Sequence, residues 1–309
     1  MSDDRPRRIS RAVTPLGVPH MGAGASAALK FPLKPDAIAA LVRTALDEDA
    51  AHNDITTVAT VHASARGRAL LVARQAGVIC GVPLALEAIR QLDPKATVRI
   101  DAEDGTRVQP GTGVLFISGH ARGLLAAERV ALNFMQRLSG VATLTARYVE
   151  AVQGTGARIL DTRKTTPGWR LLEKYAVRCG GGTNHRMDLS DAVLIKDNHL
   201  AAVDGEVNTA VQRARALAAP GTRVEVECDR HEQVEAALDA GVDIILLDNM
   251  TLDELREAVQ FVNKRAIVEA SGGVRLDTVR AIAETGVDWI SAGALTHSAP
   301  ALDLALDFE

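Results

Sequence analysis

Residues 160–168 read LDTRKTTPG, with Arg163 and Lys164 side by side where an apolar run ends. The segment CGGGTNHRMDLSDAVLIKDNH then adds His185, Arg186 and Lys196. Arginine offers a planar fork that matches a carboxylate, and lysine a compact charge that suits phosphate oxygens. Singly, such residues are usually solvated surface groups. Gathered in a chain of formal net charge −4, they point to a small substrate with several negative charges. Acidic groups recur nearby: Glu225 and Glu227 in VEVECD, and Asp248 in ILLDN. Carboxylates there suit ribose hydroxyls or magnesium, which prefers oxygen ligands. They also suit ion pairs with Lys164 or Lys196 while the site is empty.

What would gather these groups is the ends of strands. From about residue 157 the apolar runs ARILDT, DAVLIKD, RVEVECD, VDIILLDN, RAIVEASG and VDWISAG alternate with amphipathic helices such as TLDELREAVQFVN. Near-continuous apolar strands between helices predict a parallel sheet covered by helices, as a β/α barrel or a doubly wound sheet. No G-x-G-x-x-G follows the first strand, which disfavours a dinucleotide-binding sheet. In a barrel all carboxyl ends meet on one face, and polar residues cluster at these six ends. The last two ends are SGG at 271–273 and SAG at 291–293. They can present backbone N–H groups to a phosphate, or serve only as glycine turns.

The preceding half reads as an α+β unit. A helix is expected in KPDAIAALVRTALDEDA, then short strands across NDITTVATVHASARGRALLVARQAGVICGVP. A long helix covers roughly 122–151, with Ser139 and Gly140 as an expected break. Residues 1–30 are polar, Gly/Ala-rich and aperiodic, and read as a disordered tail. The expected organisation is tail 1–30, an α/β sandwich domain over 31–138, and a β/α barrel over 139–309, with the C-terminal residues packing back on the first domain.

Composition removes other classes. Aromatics at 3% are too few for a base-stacking surface, and the net charge gives no basic field for nucleic acid or anionic lipid. No apolar run is long enough for a membrane span. Cys80, Cys179 and Cys228 are odd in number and far apart in sequence, so disulfides and zinc are not expected and a reducing cytoplasm is.

The stretch LDTRKTTPGWRLLEKYAVRCGGGTNHRMDLSDAVLIKDNH closely resembles the signature of the nicotinate-nucleotide pyrophosphorylase, or quinolinate phosphoribosyltransferase, family. AERVALNFMQRLSGVATLT, VEVECD, ILLDN, EASGG and SAGALTHSAP resemble it too, in order, so the likeness spans roughly 35–309. It implies an α/β fold, with an N-terminal open sandwich before a modified (seven-stranded) β/α barrel. It also implies a homodimer or larger assembly with shared active sites. The implied reaction is quinolinate plus phosphoribosyl pyrophosphate to nicotinate mononucleotide, pyrophosphate and carbon dioxide, with Mg2+, in NAD biosynthesis. Carried onto this chain, quinolinate would meet Thr162, Arg163, His185, Arg186 and Lys196, with Arg129 reaching in from a partner subunit. Lys164 would face the pyrophosphate side. Glu227 and Asp248 would hold ribose hydroxyls and magnesium, directly or through water, with Glu225 the alternative to Glu227. Ser271, Gly272, Gly273, Ser291, Ala292 and Gly293 would cradle the 5′-phosphate. Lys164, Glu227 and Asp248 are the implied catalytic residues.

The chemistry explains the residue types. Two adjacent carboxylates and three phosphate groups repel one another unless cations interleave. After the ring nitrogen attacks the ribose carbon, the pyridinium itself can accept the electrons of decarboxylation, so no pyridoxal or thiamin is required. A Schiff-base role for Lys164 or Lys196 is the rival, but neither sits in an apolar sequence that would lower its pKa. A nicotinate-type transferase would not need so many cations, and a non-catalytic carrier module would not need them at all. Thr166 is expected to cap the following helix, with Pro167 in its first turn.

Overall fold

The computed structural model describes residues 29–308; most of the expected tail lies outside these. The chain begins with α1 (Pro35–Glu48), a 3₁₀ turn (Ala51–Asn53) and α2 (Ile55–Thr60). Then follow β1 (Arg66–Ala73), β2 (Gly77–Val78), α3 (Val82–Leu92), β3 (Thr97–Ile100), β4 (Arg107–Val108), β5 (Gly113–His120) and α4 (Ala121–Ala151). The second half runs β6 (Arg158–Leu160), α5 (Arg170–Cys179), β7 (Val193–Ile195), α6 (Asp197–Ala201), α7 (Val207–Leu217), β8 (Val224–Cys228) and α8 (His231–Asp239). It ends with β9 (Ile244–Asp248), α9 (Leu252–Val262), β10 (Ile267–Ser271), α10 (Val279–Ala283), β11 (Trp289–Ser291), α11 (Ala294–His297) and β12 (Leu304–Phe308).

Two sheets organise these elements. The first is antiparallel, in the order β12-β1-β5-β3. Its outer strand β12 is the C-terminal segment, which returns to pair Phe308 with Ala69. The second is parallel, in the order β6-β11-β10-β9-β8-β7. All six strands expected in the second half belong to it. Beyond β6 the chain around Thr183 adds one parallel bridge to Leu160, so the seventh stave is a single contact rather than a strand. The staves are apolar because helices cover their outer side; Ile244–Leu247 of β9 are all buried.

Two expectations fail in the first half. Residues Ile55–Thr60 form a helix, not a strand, although β-branched residues dominate them. The Asp54 carboxylate accepts the Thr57 N–H at 2.9 Å, and that cap outweighs a weak strand preference. The long helix also does not break at Ser139–Gly140, and α4 runs unbroken through the expected 138/139 boundary. Both residues serve close approach instead. The Ser139 hydroxyl accepts the Cys80 N–H at 2.9 Å and lies 3.2 Å from its carbonyl oxygen. A methyl group at Gly140 would sit 2.1 Å from the Pro300 carbonyl oxygen.

Helix α4 therefore ties the two halves together. It buries Leu124, Phe134, Met135 and Leu138 among other apolar residues, each contributing about 1.5–3 kcal/mol. The sequence also separates two thiols that the fold joins: Cys80 and Cys179 lie with their sulfurs 3.7 Å apart, both reduced and buried. Among the described residues, no helix is long and apolar enough to cross a membrane. Gly140→Ala should destabilise the protein by about 1–3 kcal/mol, because backbone on both sides must move. Chemical denaturation measures this, and an unchanged midpoint would contradict the close packing of α4 on the 300 segment.

Candidate active site

The carboxyl ends of β6 to β11 form the mouth, and buried ion pairs set its shape. Asp161 follows β6 and is turned inward, where it meets the Lys174 ammonium of α5. Its other donors are the Asn184 amide at 2.6 Å and the His185 N–H at 2.9 Å. Lys174 also donates to the His185 carbonyl at 2.9 Å. Burial pushes Asp161 up and Lys174 down, and their mutual attraction opposes both shifts. The effect is to dock the TNHR loop onto the end of β6.

The neighbouring loop is held by Glu173, a fully buried carboxylate of α5. It accepts from the Thr166 N–H at 2.9 Å, the Thr166 hydroxyl at 2.8 Å and the Arg137 guanidinium at 2.6 Å. Thr166 is therefore not the helix cap: α5 starts at Arg170, with Trp169 at the cap position. The loop is fixed by a buried acceptor several residues ahead. The Thr162 hydroxyl accepts the Lys164 N–H at 3.0 Å, and the Thr296 hydroxyl donates to the Lys164 carbonyl at 2.8 Å.

These anchors send the two cations apart. Lys164 lies over the last glycine end: a methyl at Gly293 would be 3.0 Å from its Cδ and 3.1 Å from His297 Nε2. His297 thus joins this side of the mouth, a residue that sequence reading passed over except within SAGALTHSAP. Arg163 stays with Arg186. Burial lowers the Arg186 pKa first, and the charge of Arg163 lowers it further. Arg163 Nε is buried without a hydrogen-bond partner.

The acids divide in the same way. Glu227 faces the mouth, where the Lys196 ammonium contacts it. Glu225, two residues earlier on the same face of β8, is almost fully buried beside His185. Of the two, Glu227 is the partly exposed one at the end of β8. Asp248 accepts from the Asn249 amide at 2.7 Å. Gly272 has φ +89°, and a methyl there would lie 2.3 Å from the Asn249 side-chain oxygen, so SGG needs glycine for both reasons. Gly273 follows at φ +57° and Ser271 closes β10 beside Asp248.

Two sets of expected contacts differ. Both nitrogens of His185 are engaged internally: Nδ1 accepts the Arg186 N–H at 2.8 Å, and Nε2 lies 3.3 Å from Glu225 and 3.4 Å from Glu269. The ring has no free nitrogen for a substrate carboxylate. The Ser291 hydroxyl donates to Glu269, and the Ala292 N–H donates to the Leu160 carbonyl at 3.0 Å, so neither is directed at a phosphate. Arg129, expected to serve a neighbouring subunit, is in keeping with that expectation not part of its own chain's mouth. It lies on α4, 57% exposed, with Glu128 as a loose partner at 4.0 Å. A cavity of about 360 Å³ opens at the opposite, amino end of the staves, lined by Arg158, Val193, Arg223 and Trp289 and reaching His185, Arg186 and Glu225, so the Arg186 side chain faces this cavity.

A barrel whose mouth holds Arg163, two separate lysines and two partly exposed carboxylates defines a protein that binds polyanionic small molecules. The comparisons sharpen that class. The family model described as quinolinate phosphoribosyl transferase, C-terminal domain, matches residues 141–307, and its N-terminal counterpart matches 54–139. The chain belongs to the quinolinate phosphoribosyltransferase family. It is 47% identical to nicotinate-nucleotide pyrophosphorylase (carboxylating) of Mycobacterium leprae, over 88% of this chain and 97% of that protein. A probable enzyme of the same name from Bacillus subtilis is 40% identical over 84% of this chain and 89% of its own length. The crystal structure of NadC from Streptococcus pyogenes superposes with a TM-score of 0.85 at 42% identity, covering 90% of this chain and 98% of that one.

The buried cluster also predicts a pH dependence. Burial lowers the His185 pKa, but hydrogen bonds and charges from Glu225 and Glu269 outweigh it and raise it to about 10, while burial raises Glu225. Both shifts mean that the cluster keeps a proton that separate groups would lose. The Arg186 N–H accepted at Nδ1 requires the neutral ring, so the extra proton is shared between Nε2 and the two carboxylates rather than added at Nδ1. Held by the cluster as a whole, that proton gives stability that is present at lower pH and lost as pH climbs toward about 10. Melting temperature should fall across that window, and the slope should shrink in His185→Gln; equal slopes in both proteins would contradict the assignment.

Proposed function

We propose that the chain transfers the phosphoribosyl group of phosphoribosyl pyrophosphate to the ring nitrogen of quinolinate, yielding nicotinate mononucleotide, pyrophosphate and carbon dioxide. The observation that carries this reading is Arg163, whose Nε donor is buried without a partner and whose charge is near enough to Arg186 to lower its pKa. Two guanidiniums held together repel each other, so an adjacent pair of carboxylates on the substrate stabilises both. Family membership supports the same reading.

Arg163 and Arg186 hold the two carboxylates, with Thr162 beside them, and so present the ring nitrogen. Lys164, placed over Gly293, faces the donor. The new C–N bond forms as the ribose C–O bond to pyrophosphate breaks, and Lys164 offsets charge on the leaving oxygens. Glu227 and Asp248 take the ribose hydroxyls. Their hard oxygens also suit magnesium, which when bound neutralises charge on the pyrophosphate. Lys196 pairs with Glu227; a substrate carboxylate that draws Lys196 away frees Glu227 for the donor. The C–C bond to the departing carboxylate then breaks, its electrons pass to the positively charged ring, carbon dioxide leaves, and the ring carbon takes a proton from solvent.

The outward, half-exposed Arg129 fits a role in trans: in a homodimer or larger assembly it completes the neighbour's site. Operation in the cytoplasm is in keeping with three reduced cysteines.

Purified protein with quinolinate, phosphoribosyl pyrophosphate and magnesium should form nicotinate mononucleotide; absence of product would sink the reading. Arg163→Ala should raise KM for quinolinate by about tenfold or more and leave that for the donor nearly unchanged, whereas Lys164→Ala should mainly depress kcat or donor binding. Equal effects on both substrates would reject the division. Arg129→Ala and Lys164→Ala chains, each inactive alone, should recover activity when mixed through hybrid sites; no recovery would argue against a shared interface.

A further inference from the structure

Four side chains from four separate segments meet inside the barrel, below the mouth. They are His185 of the TNHR loop, Glu225 of β8, Glu269 of β10 and Ser291 of β11. Glu269 is 0% exposed, Glu225 2% and Ser291 4%. The Ser291 hydroxyl donates to Glu269 Oε1, and the same oxygen faces His185 Nε2 at 3.4 Å. The second oxygens, Glu225 Oε1 and Glu269 Oε2, are buried without partners.

His185, Glu225 and Glu269 place a ligand atom each within 4.8 Å of one another, a spacing that could hold a metal ion. The tautomer excludes that use of the ring. Nδ1 accepts the Arg186 N–H at 2.8 Å, so Nε2 carries the proton and has no lone pair for a metal. Nε2 is therefore a donor to the two carboxylates. The imidazole is clamped at both ends, and its Nδ1 end holds the backbone of Arg186. The Arg186 side chain then reaches the Ala192 carbonyl at 3.1 Å, within reach of the charge of Arg163. A continuous path runs from Ser291 through Glu269 and His185 to an arginine of the acceptor pocket.

We propose that Glu269 and Ser291 are positioning residues for the dicarboxylate acceptor, fixing His185 and through it Arg186, and that the Ser291 side chain takes no part in holding the donor's phosphate. This rests on the function proposed above. Fork-to-carboxylate binding depends on alignment, and a displacement of about 1 Å can cost up to about a hundredfold in rate. Removing the Ser291 hydroxyl leaves Glu269 with His185 as its remaining donor and unlocks the ring.

The test compares wild type, Ser291→Ala, Ser291→Thr and Glu269→Gln. Each substrate is varied separately, quinolinate binding is measured by titration calorimetry, and melting is followed alongside. Ser291→Ala should raise KM and Kd for quinolinate by about tenfold while donor KM stays within about twofold, and Ser291→Thr, which keeps the hydroxyl, should restore most of the loss. A rise in donor KM alone, an equal rise in both, or no change in either would overturn the proposal. A lowered melting temperature with no split between substrates would also overturn it, as a folding role only. If Glu269→Gln does not fold, the serine variants carry the decision. Wild type that fails to bind quinolinate would instead overturn the proposed function itself.

Discussion

Charge placed inside a low-dielectric barrel must be matched at close range, and this constraint governs the whole protein. Asp161 and Lys174 meet in the interior, Glu173 gathers Thr166 and Arg137, and His185 sits between two carboxylates. Each match joins segments distant in sequence. Each also fixes a loop that reaches the mouth, so neutralising buried charge and positioning the surface cations are the same structural act.

The mouth follows the opposite rule. Its cations are only partly compensated, with Arg163 beside Arg186 and a donor left unused. Lys196 is compensated, but by Glu227, a group that the reaction needs elsewhere. Such an arrangement is stable enough to fold because the site is partly solvated, yet it gains most when polyanions arrive. Interior charges are paired, though Glu225 and Glu269 each keep one unpartnered oxygen, and mouth charges are held ready. That contrast separates scaffold from site more sharply than residue type does.

Much of this was legible beforehand. The six parallel staves were marked by continuous apolar runs, and the polar residues at their ends by their position alone. Arg163 and Lys164 have different surroundings, the charge of Arg186 and the Gly293 end, and the separate roles expected of them belong to the proposed function. Other features were misread for physical reasons. Ser139 and Gly140 resemble a helix break, but small residues equally permit close packing, and only the Pro300 segment reveals which. Asp54 overrode the β-branched residues of Ile55–Thr60 through a single cap. Ser291 resembles a phosphate ligand in SAG, yet it turns to Glu269 because a buried carboxylate needs a donor more than an exposed turn does.

The sequence by itself determined the periodicities, hence the staves and helices, and the kinds of groups at the mouth, hence a polyanionic substrate. These depend on local spacing and side-chain chemistry, which a linear string carries in full. Only the tertiary structure decided which of two glutamates on one strand face reaches the mouth, where the His185 nitrogens point, and that Glu173, Lys174 and Glu269 hold the site in place. Those outcomes depend on which distant donor meets which acceptor away from water. Pairings between segments tens of residues apart are set by the closure of the barrel and leave no local mark in the chain.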